Sequence, residues 1–353
     1  HMIFSQDDLD FQQDLKNAFD PQHIINPGKV IPKTESEAEK KATITKTGDH
    51  SAAVETLIQK IVSARENKLT VLPVGTGSRK DFGNLSPVQP TSLESSRLDE
   101  IIEYDPPNQV VTVGAGMTLN NLQKNLKRHN QWLPLRPPFA SNDHSLGGLA
   151  ATGACGPERM VYGSVRDLML GLRFIDSKGR LILAGGKVVK NVAGYDITRL
   201  MVGSAGTLGM ITEMTLKVAT LPERCCALTA HGTLNDCATA AADIIQSNLW
   251  PICIAAVPAE PTGPDRDAEH WELAIGFEGI ARSVASQVER AEQLLQKRAM
   301  QSTGIKDYDP IEGRFTGPYK RLDGFDFLLR ADAPINRLAD LFTAFTPSLS
   351  VHY

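Results

Sequence analysis

Apolar residues recur at helical spacing through Ala53, Val54, Leu57, Ile58, Ile61 and Val62, and this periodicity predicts a helix over 51–66. Leu69-Thr70-Val71-Leu72-Pro73-Val74 then predicts a short strand that runs into Gly75-Thr76-Gly77-Ser78-Arg79. Ile101–Tyr104 and Val110–Val113 read as strands joined by a turn at Pro106-Pro107-Asn108. Gly114-Ala115-Gly116 leads into a helix expected near 118–129, and Trp132–Leu135 is extended. Residues 141–167 read as glycine-rich loop and short helix. Leu168–Asp176 and Arg180–Ala184 are apolar arms around Ser177-Lys178-Gly179, which predicts a hairpin. Ile211–Val218 is a further strand, and Leu221-Pro222 ends this region.

The pattern differs on either side. Residues 7–19 read as a polar helix stopped by Asp20-Pro21, with a turn cluster at Asn26-Pro27-Gly28-Lys29. Residues 33–49 are charged, lack periodic apolar positions and have linker composition. Beyond 223 glycine thins out. Strands are expected at Cys226–Ala230, Cys253–Val257, Glu272–Phe277 and Phe325–Arg330, and helices at 234–247, 281–298 and 333–345. Residues 258–269 and 301–320 read as Pro-, Gly- and charge-rich loops. The strand–helix order of this second region implies an α+β sheet with its helices on one face.

Composition narrows the classes. The 353 residues are 41% hydrophobic and 22% charged, enough for about two domains with cores. The net charge of −4 and the absence of basic clusters beyond pairs such as Lys40-Lys41 give no footprint for nucleic acid. No apolar run approaches a membrane span, and His1-Met2 looks like an expression-tag scar rather than the start of a secretory signal. Cys155, Cys225, Cys226, Cys237 and Cys253 contain no Cys-x-x-Cys pair, so no zinc or iron–sulfur site is expected. They read as structural thiols of a reducing cytoplasm.

Three glycine-rich loops carry the candidate chemistry. Val74-Gly75-Thr76-Gly77-Ser78-Arg79 follows a strand, where glycine lets successive amides point one way and form a nest for a pyrophosphate, with Ser78 adding a hydroxyl and Arg79 a charge. Taken alone it is also a tight turn at a strand end. Gly114-Ala115-Gly116 fails the dinucleotide fingerprint, because Leu119 stands where the third glycine belongs. Ser145-Leu146-Gly147-Gly148-Leu149-Ala150-Ala151-Thr152-Gly153-Ala154-Cys155-Gly156 is nearly all small residues, a surface along which a cofactor can lie or a closely packed turn. The third is the glycine-dense stretch from Gly185 through Gly209. Arg166-Asp167 reads as a structural ion pair.

Gly163-Ser164-Val165-Arg166-Asp167, Lys190-Asn191-Val192-Ala193-Gly194-Tyr195-Asp196 and Leu200-Met201-Val202-Gly203-Ser204-Ala205-Gly206-Thr207-Leu208-Gly209 resemble the PCMH-type FAD-binding domain of the vanillyl-alcohol oxidase superfamily, and more narrowly the FAD-binding subunits of glycolate oxidases. The resemblance covers about 50–222. It implies an α+β chain: a PCMH-type domain of two α/β subdomains over 50–222, then a smaller α+β cap over 223–353. It implies that Val74, Gly75, Thr76, Gly77, Ser78, Arg79, Ser145, Gly147 and Gly148 hold the pyrophosphate and ribityl chain of FAD. Gly153, Gly156, Ser164, Gly206 and Ile211 would lie along the flavin or its adenosine half. No His occurs between Pro73 and Asn84, and Cys155 does not match a tethering pattern, so the FAD is expected to be non-covalent.

The resemblance further implies oxidation of a 2-hydroxy acid, glycolate or D-lactate, within a complex that supplies a catalytic flavin subunit and an iron–sulfur subunit. That complex would be cytoplasmic or held peripherally at the inner membrane through its partners. Two other readings stay open: a non-catalytic scaffold of the same fold, and a self-sufficient FAD oxidase of another alcohol or acid. His231, His270 and His352 are scattered, so the metal-binding His motif of D-2-hydroxy-acid dehydrogenases is missing. Arg159 and Arg166 are the remaining candidate carboxylate partners, and no catalytic residue is assigned. Residues 1–32 resemble the carboxyl-terminal tail of the same superfamily, as expected of a fusion in which the tail of a preceding subunit is followed by the 33–49 linker. A rearranged order is the alternative.

Overall fold

The computed structural model describes residues 47–79, 90–137, 143–156, 158–186, 196–258, 271–300 and 302–307. The chain divides into two compact units, 1–42 and 43–353, and every described residue belongs to the second. The elements expected at 7–19, 325–330 and 333–345 lie outside the described residues.

In chain order the elements are α1 (Thr47–Glu66), β1 (Val71–Val74), β2 (Thr91–Glu94), β3 (Ile101–Asp105), β4 (Val110–Gly114), α2 (Leu119–Lys127), β5 (Gln131–Trp132), α3 (Leu146–Thr152), α4 (Arg159–Tyr162), α5 (Val165–Leu168), β6 (Met169–Ile175), β7 (Leu181–Gly185), α6 (Ile197–Met201), β8 (Met210–Lys217), β9 (Ala219–Thr220), β10 (Arg224–Gly232), α7 (Leu234–Gln246), β11 (Cys253–Pro258), β12 (Trp271–Gly279), α8 (Ala281–Lys297) and β13 (Ser302–Asp307).

α1 begins inside the segment read as linker. Its stripe Val54, Leu57 and Ile61 packs on Leu93, Leu98, Ile175 and Met210. Beside it β1 and β2 pair in parallel. The main sheet, in the order β3-β4-β8-β6-β7, is antiparallel throughout. Its core joins Val111 and Val113 of β4, Leu172 of β6 and Met214 and Leu216 of β8 to Leu122 and Leu126 of α2 and Leu149 of α3. These residues lie on one face of each strand or helix, and their burial is what fixes the register. β5 and β9 form a separate two-stranded ribbon.

The second sheet runs β11-β12-β10-β13, again antiparallel. Trp271, Leu273, Ile275 and Phe277 alternate along β12 and face Cys237, Ala240 and Ile244 of α7 and Val284, Val288, Ala291 and Leu295 of α8. Both helices therefore cover one face. A capping box starts α7: Asp236 Oδ2 accepts from Thr233 N at 3.0 Å and from Thr233 Oγ1 at 2.7 Å. Those two bonds hold the Asp236 carboxyl below its usual range.

β13 corrects the loop expected over 301–320. Ser302, Thr303 and Ile305 are exposed because β13 is an edge strand, so it shows no apolar alternation. Its ladder to β10 is supplemented by Thr229 Oγ1–Thr303 Oγ1 at 2.9 Å and Arg224–Asp307 at 3.1 Å. β2 and α6 were likewise not expected. β2 buries only Leu93, and α6 is a single turn capped by Asp196, whose Oδ1 accepts from Arg199 N at 2.9 Å.

Candidate cofactor cleft

β1 delivers Gly75–Arg79 to the rim of a cleft. The backbone N–H groups of Gly75, Thr76, Gly77 and Ser78 find no acceptor among the described residues. Gly77 turns the chain with φ 78°, and the space a Cβ would take there is open. Unpaired amides in series with a glycine in the left-handed region are the elements of which anion nests are built. Arg79 lies beside it, partly buried, and burial lowers its pKa from the usual arginine value. It is the one charged side chain among the described residues that line the cleft.

The opposite wall is α3. Ser145 caps it, its Oγ accepting from Gly148 N at 3.3 Å. Leu146 N and Gly147 N donate to Met117 O at 2.9 Å and Ala115 O at 2.8 Å. The first-turn amides of α3 are thus already used, so the helix supplies a smooth wall and the 75–78 loop supplies the donors. The 203–206 loop is clipped to the other end of α3 by Gly203 N→Ala150 O at 3.0 Å and Ala205 N→Ala151 O at 2.7 Å. That places Gly206 against the Pro73 ring.

Val74, Gly75, Gly77, Ser78, Arg79, Ser145, Gly147, Gly148, Gly206 and Ile211 all line this cleft. Thr76 sits on the same loop without lining the cleft, its Oγ1 donating to Ser78 Oγ at 3.2 Å. Gly153, Gly156 and Ser164 do not line it. Gly153 is the left-handed cap of α3 with φ 65°. Gly156 packs on the Arg136 carbonyl and the Glu158 carboxylate. Ser164 caps α5, where Asp167 Oδ2 accepts from its N and its Oγ, each at 2.8 Å. These bonds hold the Asp167 carboxyl below its usual range, with Arg199 and Arg166 as minor causes. Arg166 donates instead to Arg199 O at 3.3 Å, so Arg166-Asp167 is a capping arrangement rather than an ion pair. Neither Arg159 nor Arg166 lines the cleft. Lys187–Tyr195, within the glycine-dense stretch, lie outside the described residues.

Sequence reasoning missed Ser95 and Ala115, which line the cleft, and His144, which stands behind Ser78. It also missed a buried charged cluster between the two sheets. Arg136 Nη2 lies 2.6 Å from Glu278 Oε1, and the side chains are 8% and 0% exposed. The Arg136 guanidinium stacks 4.5 Å over Trp132, which meets Tyr162 edge-on at 5.5 Å. The Tyr162 hydroxyl donates to Glu278 Oε2 at 3.4 Å; burial first, then Glu278, pushes its pKa up.

Glu158, fully buried, accepts through Oε1 from Arg136 N at 2.7 Å and Gly156 N at 3.2 Å. Burial raises its pKa despite those bonds. A raised acid pKa means that the folded chain holds a proton the unfolded chain has released. Stability therefore falls as pH climbs from the ordinary carboxylate range through the raised value, and the loss is complete above it. Glu158→Gln keeps an acceptor for both amides and carries no charge. Subtracting its stability–pH curve from that of the parent should leave a descent in that window, and a flat difference would refute the assignment.

No described helix is long and apolar enough to cross a membrane, and among the described residues no cluster of His, Cys, Asp and Glu is placed to hold a metal ion.

Residues 51–185 match the family described as FAD binding domain, and residues 1–30 match FAD linked oxidases, C-terminal domain. The chain is 35% identical over 209 residues to glycolate oxidase subunit GlcE of Escherichia coli (strain K12), covering 59% of this chain and 57% of that protein. It is 31% identical over 187 residues to D-lactate dehydrogenase of Anaerostipes hadrus, covering 53% and 39%. It is 30% identical over 187 residues to glycolate oxidase subunit GlcD of Bacillus subtilis (strain 168), covering 53% and 40%. The chain thus spans little more than half of the first relative and about two fifths of the other two. Two crystal structures of alkyldihydroxyacetonephosphate synthase superpose with TM-scores of 0.59 and 0.60 over 71% of this chain and 51% and 50% of theirs. At 22% identity that likeness speaks for the fold alone.

Proposed function

Residues 51–185 belong to the FAD binding domain of the FAD-linked oxidases, and from that premise we propose that this chain is the FAD-binding subunit of a glycolate oxidase or dehydrogenase complex, which turns glycolate or D-lactate into the 2-oxo acid. The observation that carries it is the cleft. Four successive unpaired amides and Arg79 meet a smooth wall of Gly147 and Gly148, with no carboxylate among the described lining. That donor set fits a dinucleotide pyrophosphate. Gly75–Ser78 and Arg79 hold it, Ser145, Gly147 and Gly148 run beside the ribityl chain, and Gly206 and Ile211 border the flavin or its adenosine half. FAD, when bound, supplies a two-electron acceptor.

In this reading the chain binds flavin and passes electrons on for a catalytic partner, which takes the substrate proton. The partners are a catalytic flavin subunit of the GlcD type and an iron–sulfur subunit. The complex sits in the cytoplasm or peripherally on the inner membrane. Residues 1–30 are the tail of a preceding FAD-linked oxidase subunit joined to this one, a reading supported by their family match and tested by the genomic reading frame.

The purified chain is expected to show flavin absorbance, and acid precipitation to leave the yellow colour in the supernatant. Colour in the pellet would overturn non-covalent binding, and failure to take up added FAD would overturn the cofactor. Anaerobic glycolate should leave the flavin of the isolated chain oxidised and bleach it once the catalytic subunit is added. Enzyme-like turnover by the isolated chain would replace the relay with a self-sufficient oxidase.

A further inference from the structure

His144 immediately precedes the Ser145 cap and is buried, with 3% of its surface exposed. Its backbone is fixed, since Leu119 N donates to its carbonyl at 2.9 Å and the next residue bridges to Thr118. Its Nδ1 lies 2.8 Å from Ser78 Oγ, joining two loops 66 residues apart in sequence. Ser78 Oγ also accepts from Thr76 Oγ1 at 3.2 Å.

A serine hydroxyl has one hydrogen and two acceptor lone pairs. Thr76 occupies one lone pair. Were Nδ1 bare, Ser78 would give its hydrogen to His144 and present only an acceptor to the cleft it lines. With a hydrogen on Nδ1, His144 fills the second lone pair and the Ser78 hydrogen is left for the cleft. An anion needs the second arrangement.

We propose that His144 is a positioning residue for the cofactor's pyrophosphate: by holding a hydrogen on Nδ1 it turns Ser78 from an acceptor into a donor aimed into the cleft. The proposal rests on the FAD reading above and deepens it. In the bound state His144 is the Nδ1–H tautomer or the imidazolium, never the Nε2–H tautomer.

The test is FAD titration of the full-length apoprotein in a double-mutant cycle. Ser78→Ala and His144→Phe are each expected to weaken FAD binding about tenfold, the size of one hydrogen bond to a charged group. Because His144 acts through Ser78, the double variant should bind no more weakly than Ser78→Ala. Additive losses would assign His144 to packing and overturn the proposal. His144→Asn offers a donor near the Nδ1 position and should recover affinity to within about threefold of the parent; an affinity as low as that of His144→Phe would count against it. Nitrogen NMR of the holoprotein should find Nδ1 protonated, and a bare Nδ1 would overturn the proposal. Failure of the parent apoprotein to bind FAD would instead remove the cofactor reading beneath it.

Discussion

Gly75→Ala is expected to weaken FAD binding about a hundredfold, equivalent to about 3 kcal/mol. A Cβ at residue 75 overlaps Ser145 Oγ and comes within 2.6 Å of Ser145 Cβ. The second contact is decisive, because a Cβ cannot rotate away as a hydroxyl can. Either the 75–78 loop lifts or Ser145 retreats, and Ser145 caps α3 through Gly148. Both movements widen the gap between the donors and the wall. The strain is local, so the melting temperature should change far less than the affinity. Ser145→Gly removes both clashing atoms, and the double variant should recover most of the tenfold steps lost. Gly77→Ala is the control: its Cβ meets nothing within 4 Å, and the cost is the left-handed backbone, about 1 kcal/mol. Should Gly75→Ala bind FAD as tightly as the parent, the 75–78 loop is not the pyrophosphate site.

Where burial is one-sided, the chain could be read directly. α1 keeps Val54, Leu57 and Ile61 on one stripe, and in α8 Val284, Val288, Ala291 and Leu295 do the same. Such periodicity exists because one face is buried, and it fails where that condition fails. β13 lies at an edge and β2 buries a single leucine, so neither carried a pattern.

The cleft was legible for a different reason: glycines in series mark backbone that something must approach. Gly75, Gly147 and Gly206 were located that way. The same signal also marks Gly153 and Gly156, which stand outside the cleft lining, Gly153 as the left-handed cap of α3 and Gly156 against the Arg136 carbonyl. Ser164 likewise stands outside the cleft lining, in the Ser-x-x-Asp capping box of α5. Ser78 and His144, 66 residues apart, and Arg136 and Glu278, 142 apart, meet only through the fold. Nothing local announces either pair.

Glu278→Ala is expected to give the largest loss of stability, about 3–5 kcal/mol. The pair it breaks is buried on both sides, and Arg136 would lose its 2.6 Å carboxylate contact while still stacked on Trp132. Water cannot easily reach the site, so the desolvation cost stays while one of its ion-pair contacts is gone. In a chain of this size the melting temperature should fall by roughly 5–10 °C. The pair joins the loop after β5 to β12, and Tyr162 of α4 shares the same carboxylate, so the loosening falls between the two sheets. Neither Arg136 nor Glu278 lines the cofactor cleft, and FAD affinity at low temperature should stay within about twofold of the parent. Replacing both charges, Arg136→Met with Glu278→Leu, removes both buried ions at once and should restore most of the stability. A double variant as unstable as Glu278→Ala would mean that packing around Glu278, rather than the lost ion pair, sets the cost. A Glu278→Ala protein that melts with the parent would show that the two sheets are held together without this pair.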